Sequence, residues 1–340
     1  VTRIGNTATA DLNLNGTVYS TDGATTFTAV SGGTIDLGGS SPTFTTSADT
    51  ITFGTADVKV ANGTLTVNSV GGLIDFEGSI LGTSDEVLVL NANAASDGDS
   101  ANEKVIVAAI GTGNQIHSVS ITGRDGITLE GNITTSNKAS NNVSFTGPVS
   151  INAATVAIDT DATGNDGTVT FSSTIDSATG TSRNLDIVSA TGNVTVTGAI
   201  GATTALASLD INQAGGDGDI TLTSNIGADA SNPGVTGVTR IGNTATADLN
   251  LNGTVYTTGG ATTYASAGTD LGGSSPTFTT SADTITFGPG NVTVANGTLT
   301  VNSVGGLIDF EGSILGTSDE VLVLNANAAS DGDSANEKVI

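Results

Sequence analysis

The sequence predicts an all-β fold: an elongated parallel β-helix (β-solenoid) with irregular coils of about 20–26 residues. Three observations predict it. Apolar and polar residues alternate with a period of two, which is the geometry of a β-strand. Thr, Val and Ile dominate the alternating segments, whereas Gly, Asn, Asp and Ser separate them as turns. A heptad-length pattern also recurs along the chain at a spacing typical of solenoid coils.

The seven-residue pattern has apolar residues at positions one, three and seven, and the seventh residue is always Ile. It first occurs as IDFEGSI from Ile74, with a Gly shortly before it. Further occurrences begin at Ile127, Val169, Val194, Ile220 and Ile308. We expect positions one, three and seven of the first five occurrences to be mostly buried and to stack in ladders along the solenoid. Gly would occupy corners where neighbouring coils leave no room for a Cβ atom.

A much longer repeat contains the short one. The opening segment VTRIGNTATADLNLNGTVY, at Val1–Tyr19, recurs at Val238–Tyr256, and Val60–Ile106 is identical to Val294–Ile340. We therefore expect one full repeat unit at 1–237 and the start of a second at 238–340. Both ends of the sequence would be cuts in a longer array. The two copies should adopt the same local structure, because near-identical sequence in the same context folds alike.

A string of immunoglobulin-like β-sandwich domains is the alternative fold, since it also consists of short strands joined by turns. Such domains usually carry a large buried aromatic residue, and this chain has no Trp and only three Tyr. A shared seven-residue pattern with a fixed terminal Ile is also foreign to them. The sequence therefore favours the solenoid over the sandwich.

Composition excludes several function classes. The chain of 340 residues has 33 acidic and 8 basic residues, for a net charge of -25. Nucleic-acid binding needs clustered Lys and Arg, so no nucleic-acid partner is expected. No apolar run reaches the ~18 residues of a membrane helix, so we expect no membrane insertion in this segment. With no Cys and a single His, zinc, haem and iron–sulfur sites lack ligands.

Two stretches carry a family resemblance: ATGNVTVTGAIGATTALASLDINQAGGDGDITLTSNIG at Ala190–Gly227 and NGTLTVNSVGG at Asn62–Gly72. In composition and rhythm they resemble the repeats of very large bacterial surface proteins, the filamentous-haemagglutinin-like and autotransporter-like adhesins. The resemblance spans most of the chain without a diagnostic motif. It implies a right-handed parallel β-helix, secretion to the cell surface, and a role in adhesion or extracellular structure.

Enzymatic activity is not expected. His117 has no second His and no recognisable nucleophile motif near it in sequence. Some parallel β-helices process polysaccharides with clustered acidic and basic residues. The eight basic residues of this chain are instead spread along its length. A polysaccharide-processing enzyme is therefore the least favoured interpretation.

Calcium is the best candidate for a bound ion, although no cofactor is expected to be required. Two loops, Ser96–Glu103 (SDGDSANE) and Asp159–Gly167 (DTDATGNDG), carry carboxylates among Gly and Asn residues, and hard oxygen ligands of this kind suit Ca²⁺. Neither loop completes an EF-hand, and solvated turns are the alternative interpretation. The candidate ligands are Asp97, Asp99, Asp159, Asp161 and Asp166.

Together these observations predict a structural segment of a giant secreted protein that forms an extracellular or cell-surface fibre or sheath. Its partners would be other copies of itself, joined end to end and bundled laterally. The alternative is an adhesin stalk that binds a glycan or a host protein through loops such as Gly201–Ala207.

Overall fold

The protein is an all-β solenoid of parallel strands. The computed structural model describes residues 1–47, 49–83, 85–92, 102–161, 164–213, 215–281, 283–326 and 338–340. Every strand pair within this part of the chain is parallel, and none of these residues is helical. Parallel pairing confirms the predicted fold class, because immunoglobulin-like sandwiches are antiparallel.

The chain divides into two compact units, Val1–Thr170 and Phe171–Ile340. The first unit contains β1 Thr2–Gly5, β2 Asp11–Leu14, β3 Val18–Thr21, β4 Thr25–Thr28, β5 Thr34–Leu37, β6 Thr43–Thr46, β7 Ile51–Phe53, β8 Asp57–Val60, β9 Thr64–Ser69, β10 Ile74–Phe76, β11 Ile80–Leu81, β12 Val87–Asn91, β13 Lys104–Val107, β14 Ser118–Thr122, β15 Gly126–Leu129, β16 Ile133–Thr134, β17 Val143–Thr146, β18 Val149–Ile151 and β19 Thr155–Asp159. Strand β20, Val169–Phe171, spans the division.

The second unit contains β21 Ile175–Ser177, β22 Asn184–Val188, β23 Val194–Val196, β24 Ser208–Ile211, β25 Ile220–Leu222, β26 Thr239–Gly242, β27 Asp248–Leu251, β28 Val255–Thr258, β29 Thr262–Leu271, β30 Thr277–Thr280, β31 Ile285–Val294, β32 Thr298–Ser303, β33 Ile308–Phe310, β34 Ile314–Gly316 and β35 Val321–Asn325. The division between the compact units does not coincide with the boundary between the sequence repeats, so one unit contains the junction between the two repeats.

Each unit has three parallel sheets, and successive coils contribute one strand to each. In the first unit β1, β4, β7, β10, β13, β15 and β18 follow one another in one sheet. A second sheet runs β2, β5, β8 and β11, and a third runs β3, β6, β9, β12, β14 and β17. In the second unit β28, β30, β32 and β35 form one sheet, while β29 and β31 each span two sheets.

Strand register gives the coil lengths. The pairing of Ile127 with Val149 defines a coil whose length falls in the predicted range. Coils longer than predicted also occur, since Ile74 pairs with Val105 and Leu209 pairs with Thr239.

The buried positions of the seven-residue pattern are confirmed. Positions one, three and seven of five occurrences are at most 1% exposed: Ile74, Phe76, Ile80, Ile127, Leu129, Ile133, Val169, Phe171, Ile175, Val194, Val196, Ile200, Ile220, Leu222 and Ile226. The predicted ladders also form, since Ile80 bridges to Ile110, which in turn bridges to Ile133. These ladders are the core of each coil.

Glycines occupy tight corners as predicted. A Cβ atom at Gly167 would meet the backbone carbonyl of Asn141 in the preceding coil, and one at Gly218 would meet the carbonyl of Gly192. Both contacts are with backbone, which cannot turn aside as a side chain can. Any larger residue at these corners must therefore separate two coils.

Most strands recur at matching positions in the two sequence copies, although at the position of β13 the second copy has only a single bridge, from Val339 to Ile308. Strand β9 matches β32 residue for residue, with the same alternation of buried and half-buried positions. Strand β12 corresponds to β35, which is more exposed because it lies in the last extensively described coil. The copies also differ in strand continuity: β29 replaces the separate β4 and β5, where the second copy is shorter, and β31 replaces the separate β7 and β8, where the lengths are equal.

Candidate functional site

The surface on which one coil stacks on the next is the candidate functional site. It recurs through both units. It has two components: a column of aromatic rings and a set of Asn and Asp side chains that bond to the next coil.

Five aromatic rings stack through the first four coils. Phe53 lies between Phe27, at a ring-centroid distance of 5.1 Å, and Phe76, at 4.4 Å. Tyr19 stacks on Phe44 at 4.6 Å, and Phe44 meets Phe53 edge to face at 5.2 Å. Each such pair contributes about 0.5–1.5 kcal/mol beyond the area it buries. The column therefore joins each coil to the two coils beside it.

The second copy contains an equivalent column of stacked rings. Tyr256 stacks on Phe278 at 4.6 Å, and Phe287 lies between Tyr264 at 5.1 Å and Phe310 at 4.8 Å. Burial raises the pKa of the Tyr256 hydroxyl well above its usual value. It does the same to the pKa of Tyr264, with a further contribution from Tyr256. Both hydroxyls therefore stay neutral.

None of the nine Phe and three Tyr side chains, all of them described, is exposed. Tyr19 and Phe310 are half-buried and the other ten are buried. Aromatic rings at the protein surface are the usual platform for binding a sugar ring. Ten of these aromatic side chains instead belong to the two stacked columns.

Asn and Asp side chains join successive coils through hydrogen bonds that the sequence analysis did not anticipate. The Oδ1 atom of Asn142 accepts a hydrogen bond from the backbone N–H of Thr168, one coil later, at 2.9 Å. Asn193 accepts from the N–H of Asp219 at 3.0 Å, and Asp219 accepts from the N–H of Asp248 at 3.3 Å. The same arrangement joins Asp11 to Thr34, Asp57 to Ser79, Asn132 to Ala157, Asn225 to Thr254, and Asn291 to Ser313.

We call these side chains the inter-coil acceptors. Each stands directly before an inward-facing apolar residue, for example Asn193 before Val194 and Asn225 before Ile226. At this position the backbone N–H of the next coil lies beyond the end of its strand pairing. The acceptor satisfies that N–H group, which would otherwise need water. The sequence signal is therefore Asn or Asp immediately before an apolar position of the pattern.

The predicted calcium ligands are only partly described. Asp97 and Asp99 lie outside the described residues. Asp159 and Asp161 lie together, because the N–H of Asp161 donates to Oδ1 of Asp159 at 3.0 Å. Burial, with a smaller contribution from the Asp161 charge, raises the pKa of Asp159. Asp166 follows later in the same loop.

Protein donors hold this loop closed. Thr160 Oγ1 donates to the carbonyl of Gly167 at 2.7 Å. The buried Nδ2 of Asn141 donates to the carbonyls of Thr160, at 3.1 Å, and Asn165, at 3.2 Å. All three carbonyl oxygens therefore accept hydrogen bonds from protein groups, and those of Thr160 and Asn165 accept theirs from the preceding coil. The described residues contain no group of three His, Cys, Asp or Glu side chains arranged to hold a metal ion. Calcium binding stays a prediction.

The remaining sequence candidates lie apart from one another. His117 is half-buried, and its Nε2 atom lies 3.0 Å from the carbonyl of Ala139 in the next coil. In the loop Gly201–Ala207, the N–H groups of Thr203 and Thr204 both donate to Oδ1 of Asp176, at 2.8 and 3.0 Å. This loop is thus fixed to the coil before it, with Thr203 as its exposed residue.

The described part of the chain contains no helix of the length and hydrophobicity needed to cross a membrane. Comparison of the chain with models of protein families, with curated proteins and with solved structures found no match. A functional proposal for this chain therefore depends on the geometry of the site.

Proposed function

We propose that this chain is a structural segment of a secreted tandem-repeat protein that forms an extracellular or cell-surface fibre or sheath. The observation that carries the proposal is the junction between the repeats. Strands β26 and β27, at the start of the second copy, pair in register with β24 and β25 of the first. A new repeat thus begins as the next coil and needs no separate interface. Such growth is suited to a long array.

The stacking surface gives a mechanical role a physical basis. Backbone hydrogen bonds join each coil to the next in three sheets, and the aromatic column and the inter-coil acceptors reinforce them. Within each unit every interior strand is paired on both edges, which leaves little unpaired edge for aggregation. Large bacterial surface proteins, which the sequence resembles in composition and rhythm, are the class we propose for it.

An adhesin stalk that binds glycans through loops is the second candidate. Its support is weaker, because the aromatic rings are withdrawn from the surface and the Gly201–Ala207 loop is fixed to Asp176. A protein target would not require exposed aromatic residues, so a host protein is the better partner for this candidate.

Surface exposure on intact cells tests the proposal. Antibodies raised against the purified chain are applied to cells of the source organism before and after permeabilisation, and intact cells are also treated with an external protease. We expect labelling of intact cells, removed by the protease. A cytoplasmic protein serves as the control and should be labelled only after permeabilisation. If the chain behaves like that control, the proposal is wrong.

Lateral association is a separate part of the proposal. Because the chain carries a net charge of -25, neighbouring copies repel at close range, while repulsion over more than about 8 Å is screened at about 0.15 M salt. We expect Ca²⁺ to increase light scattering with little change in melting temperature. If a chelator instead lowers the melting temperature and leaves scattering unchanged, the ion acts within the chain.

A further inference from the structure

The first coil of the chain presents an apolar surface that its second copy buries. We call the edge formed by β1, β2 and β3 the junction face. Val18 in this face is 70% exposed, and Ile4, Leu12 and Tyr19 are half-buried. A cavity of 210 Å³ opens there, lined by residues that include Ile4, Val18 and Tyr19.

The second copy shows what covers the same residues. Ile241, Leu249 and Tyr256, which correspond to Ile4, Leu12 and Tyr19, are at most 1% exposed. Ile241 pairs with Ile211, Leu249 pairs with Ile220, and Tyr256 bridges to Ile226. The covering element is the coil at residues 206–235, which we call the donor coil.

Polar contacts make this covering specific. Arg240 Nη1 lies 3.3 Å from Oδ1 of Asp210. Asn243 Nδ2 donates to the carbonyls of Asn212 and Gly216, at 2.5 and 3.2 Å. Oδ1 of Asn225 accepts hydrogen bonds from the N–H groups of Thr254 and Val255, at 2.9 and 3.1 Å. The first copy has the same residues at the matching positions: Arg3, Asn6, Thr17 and Val18.

The junction face is already formed without a donor coil. In the first copy Asn6 Oδ1 accepts from the N–H of Ala8 at 2.8 Å, and in the second copy Asn243 accepts from Ala245 at 2.7 Å. The Tyr19 hydroxyl accepts from the N–H of Gly16 at 2.7 Å, as Tyr256 does from Gly253. Association would therefore need little reorganisation of the face.

We propose that the junction face of β1, β2 and β3 is a binding surface for the donor coil, residues 206–235, of another copy of this repeat. Binding adds parallel strands to β1 and β2 and places an Asp opposite Arg3 and an Asn opposite Thr17 and Val18. The inference extends the proposed function, because it identifies which part of one repeat unit recognises the start of the next.

The test joins residues 171–237 to the amino end of the full chain, directly before Val1. The control chain carries residues 104–170 there, a segment of equal length that lacks the donor coil. Each tyrosine's rate of nitration by tetranitromethane is measured by peptide mass spectrometry, with buried Tyr256 as the internal reference. We expect Tyr19 to react faster than Tyr256 in the parent and control chains, and at least tenfold more slowly in the extended chain than in the parent.

Equal Tyr19 rates in the parent and extended chains would overturn the proposal. Protection by the control segment would also overturn it, because the face would then accept any coil. Hydrogen exchange reports whether the added segment folds. An added segment that stays unprotected counts against the proposal as well, since the same sequence folds against Thr239–Thr258 in this chain. The test uses purified protein, so its outcome is independent of where the protein is found in the cell.

Discussion

Replacing Phe53 with Ala removes the middle ring of the first aromatic column. Phe53 is fully buried and contacts Phe27, Phe44 and Phe76 at centroid distances of 4.4–5.2 Å. Deletion of a buried Phe side chain costs about 3–5 kcal/mol. Three aromatic contacts are lost at once and paired backbone strands resist collapse of the cavity, so we expect the upper part of this range. That is a large fraction of the roughly 5–15 kcal/mol that stabilises a typical domain.

The loss should be local, because each coil of a repeat architecture contacts only its neighbours. Native-state hydrogen exchange, read by peptide mass spectrometry, is the assay. We expect backbone amides in β4, β7 and β10 to lose most of their protection while β15 and β18 keep theirs. Thr52→Ala, an outward-facing neighbour of Phe53, is the matched control and should change stability by less than about 0.5 kcal/mol.

The second copy supplies an independent check. Phe287 lies between Tyr264 and Phe310 and meets Phe278 edge to face at 5.0 Å, so Phe287→Ala should cost about as much as Phe53→Ala. Its effect should fall on β29, β31 and β33. A loss of protection spread evenly over the chain, or a cost at either site well below the low end of about 3 kcal/mol, would refute the stacking argument.

Three further predictions follow from single contacts. Gly78→Ala should destabilise the chain by about 1–3 kcal/mol in denaturant titrations, because the new Cβ atom would meet the backbone carbonyl of Ala56 in the preceding coil. Gly54→Ala is the control and should be near neutral, because a Cβ atom there makes only ordinary contacts. Equal effects of the two substitutions would refute this prediction. Asn141→Ala should cost about 1–3 kcal/mol of stability, because the Asn141 amide is buried and hydrogen-bonded. Asn142→Ala removes an exposed inter-coil acceptor and should cost about 1 kcal/mol. The reverse order in the same titrations would contradict these roles for the two residues. Burial and two nearby carboxylates raise the pKa of Asp75 to about 6, so the native state binds more protons than the unfolded state between about pH 4 and 6. The contribution of Asp75 to stability should therefore fall as pH rises through that window. In melts at a series of pH values Asp75→Asn should remove that fall, and an unchanged pH profile would contradict the prediction.

The seven-residue pattern was sufficient to predict the parallel fold and the core. Val194, Val196 and Ile200 could be assigned to the interior from spacing alone, because strand alternation and a fixed terminal Ile leave one consistent register. The long coil between Leu209 and Thr239 was not predicted. Its return strand, TRIG at Thr239–Gly242, does not follow the pattern, and only the pairing with β24 reveals that it continues the ladder.

The inter-coil acceptors show why the polar part of the site escaped prediction. The sequence predicts turn positions for Asn142 and Asn193, because Asn favours turns. Their partners, Thr168 and Asp219, are distant in sequence, and only the coil length brings them together. Fused strands are a similar case. The second copy has one continuous strand, β29, where the first copy has β4 and β5, and the loop between them is shorter in the second copy. The local residue pattern does not reveal that shortening this loop makes the strand continuous.

Parallel, in-register stacking of coils is the central claim, and engineered disulfides test it most directly. The chain has no Cys, so a pair can be introduced without competing thiols. Ser120 and Ser144 are half-buried positions paired across β14 and β17, where parallel strands are roughly 4.8 Å apart, within the span of a disulfide.

Thr146 is out of register with Ser120, at a Cα distance of roughly 8 Å, which is too far for a disulfide to form without backbone movement. Oxidation followed by peptide mass spectrometry is the measurement. The account predicts near-complete crosslinking within the monomer for the variant Ser120→Cys with Ser144→Cys, and little for Ser120→Cys with Thr146→Cys. Equal crosslinking of the two variants, or crosslinking of the second alone, would contradict the parallel solenoid.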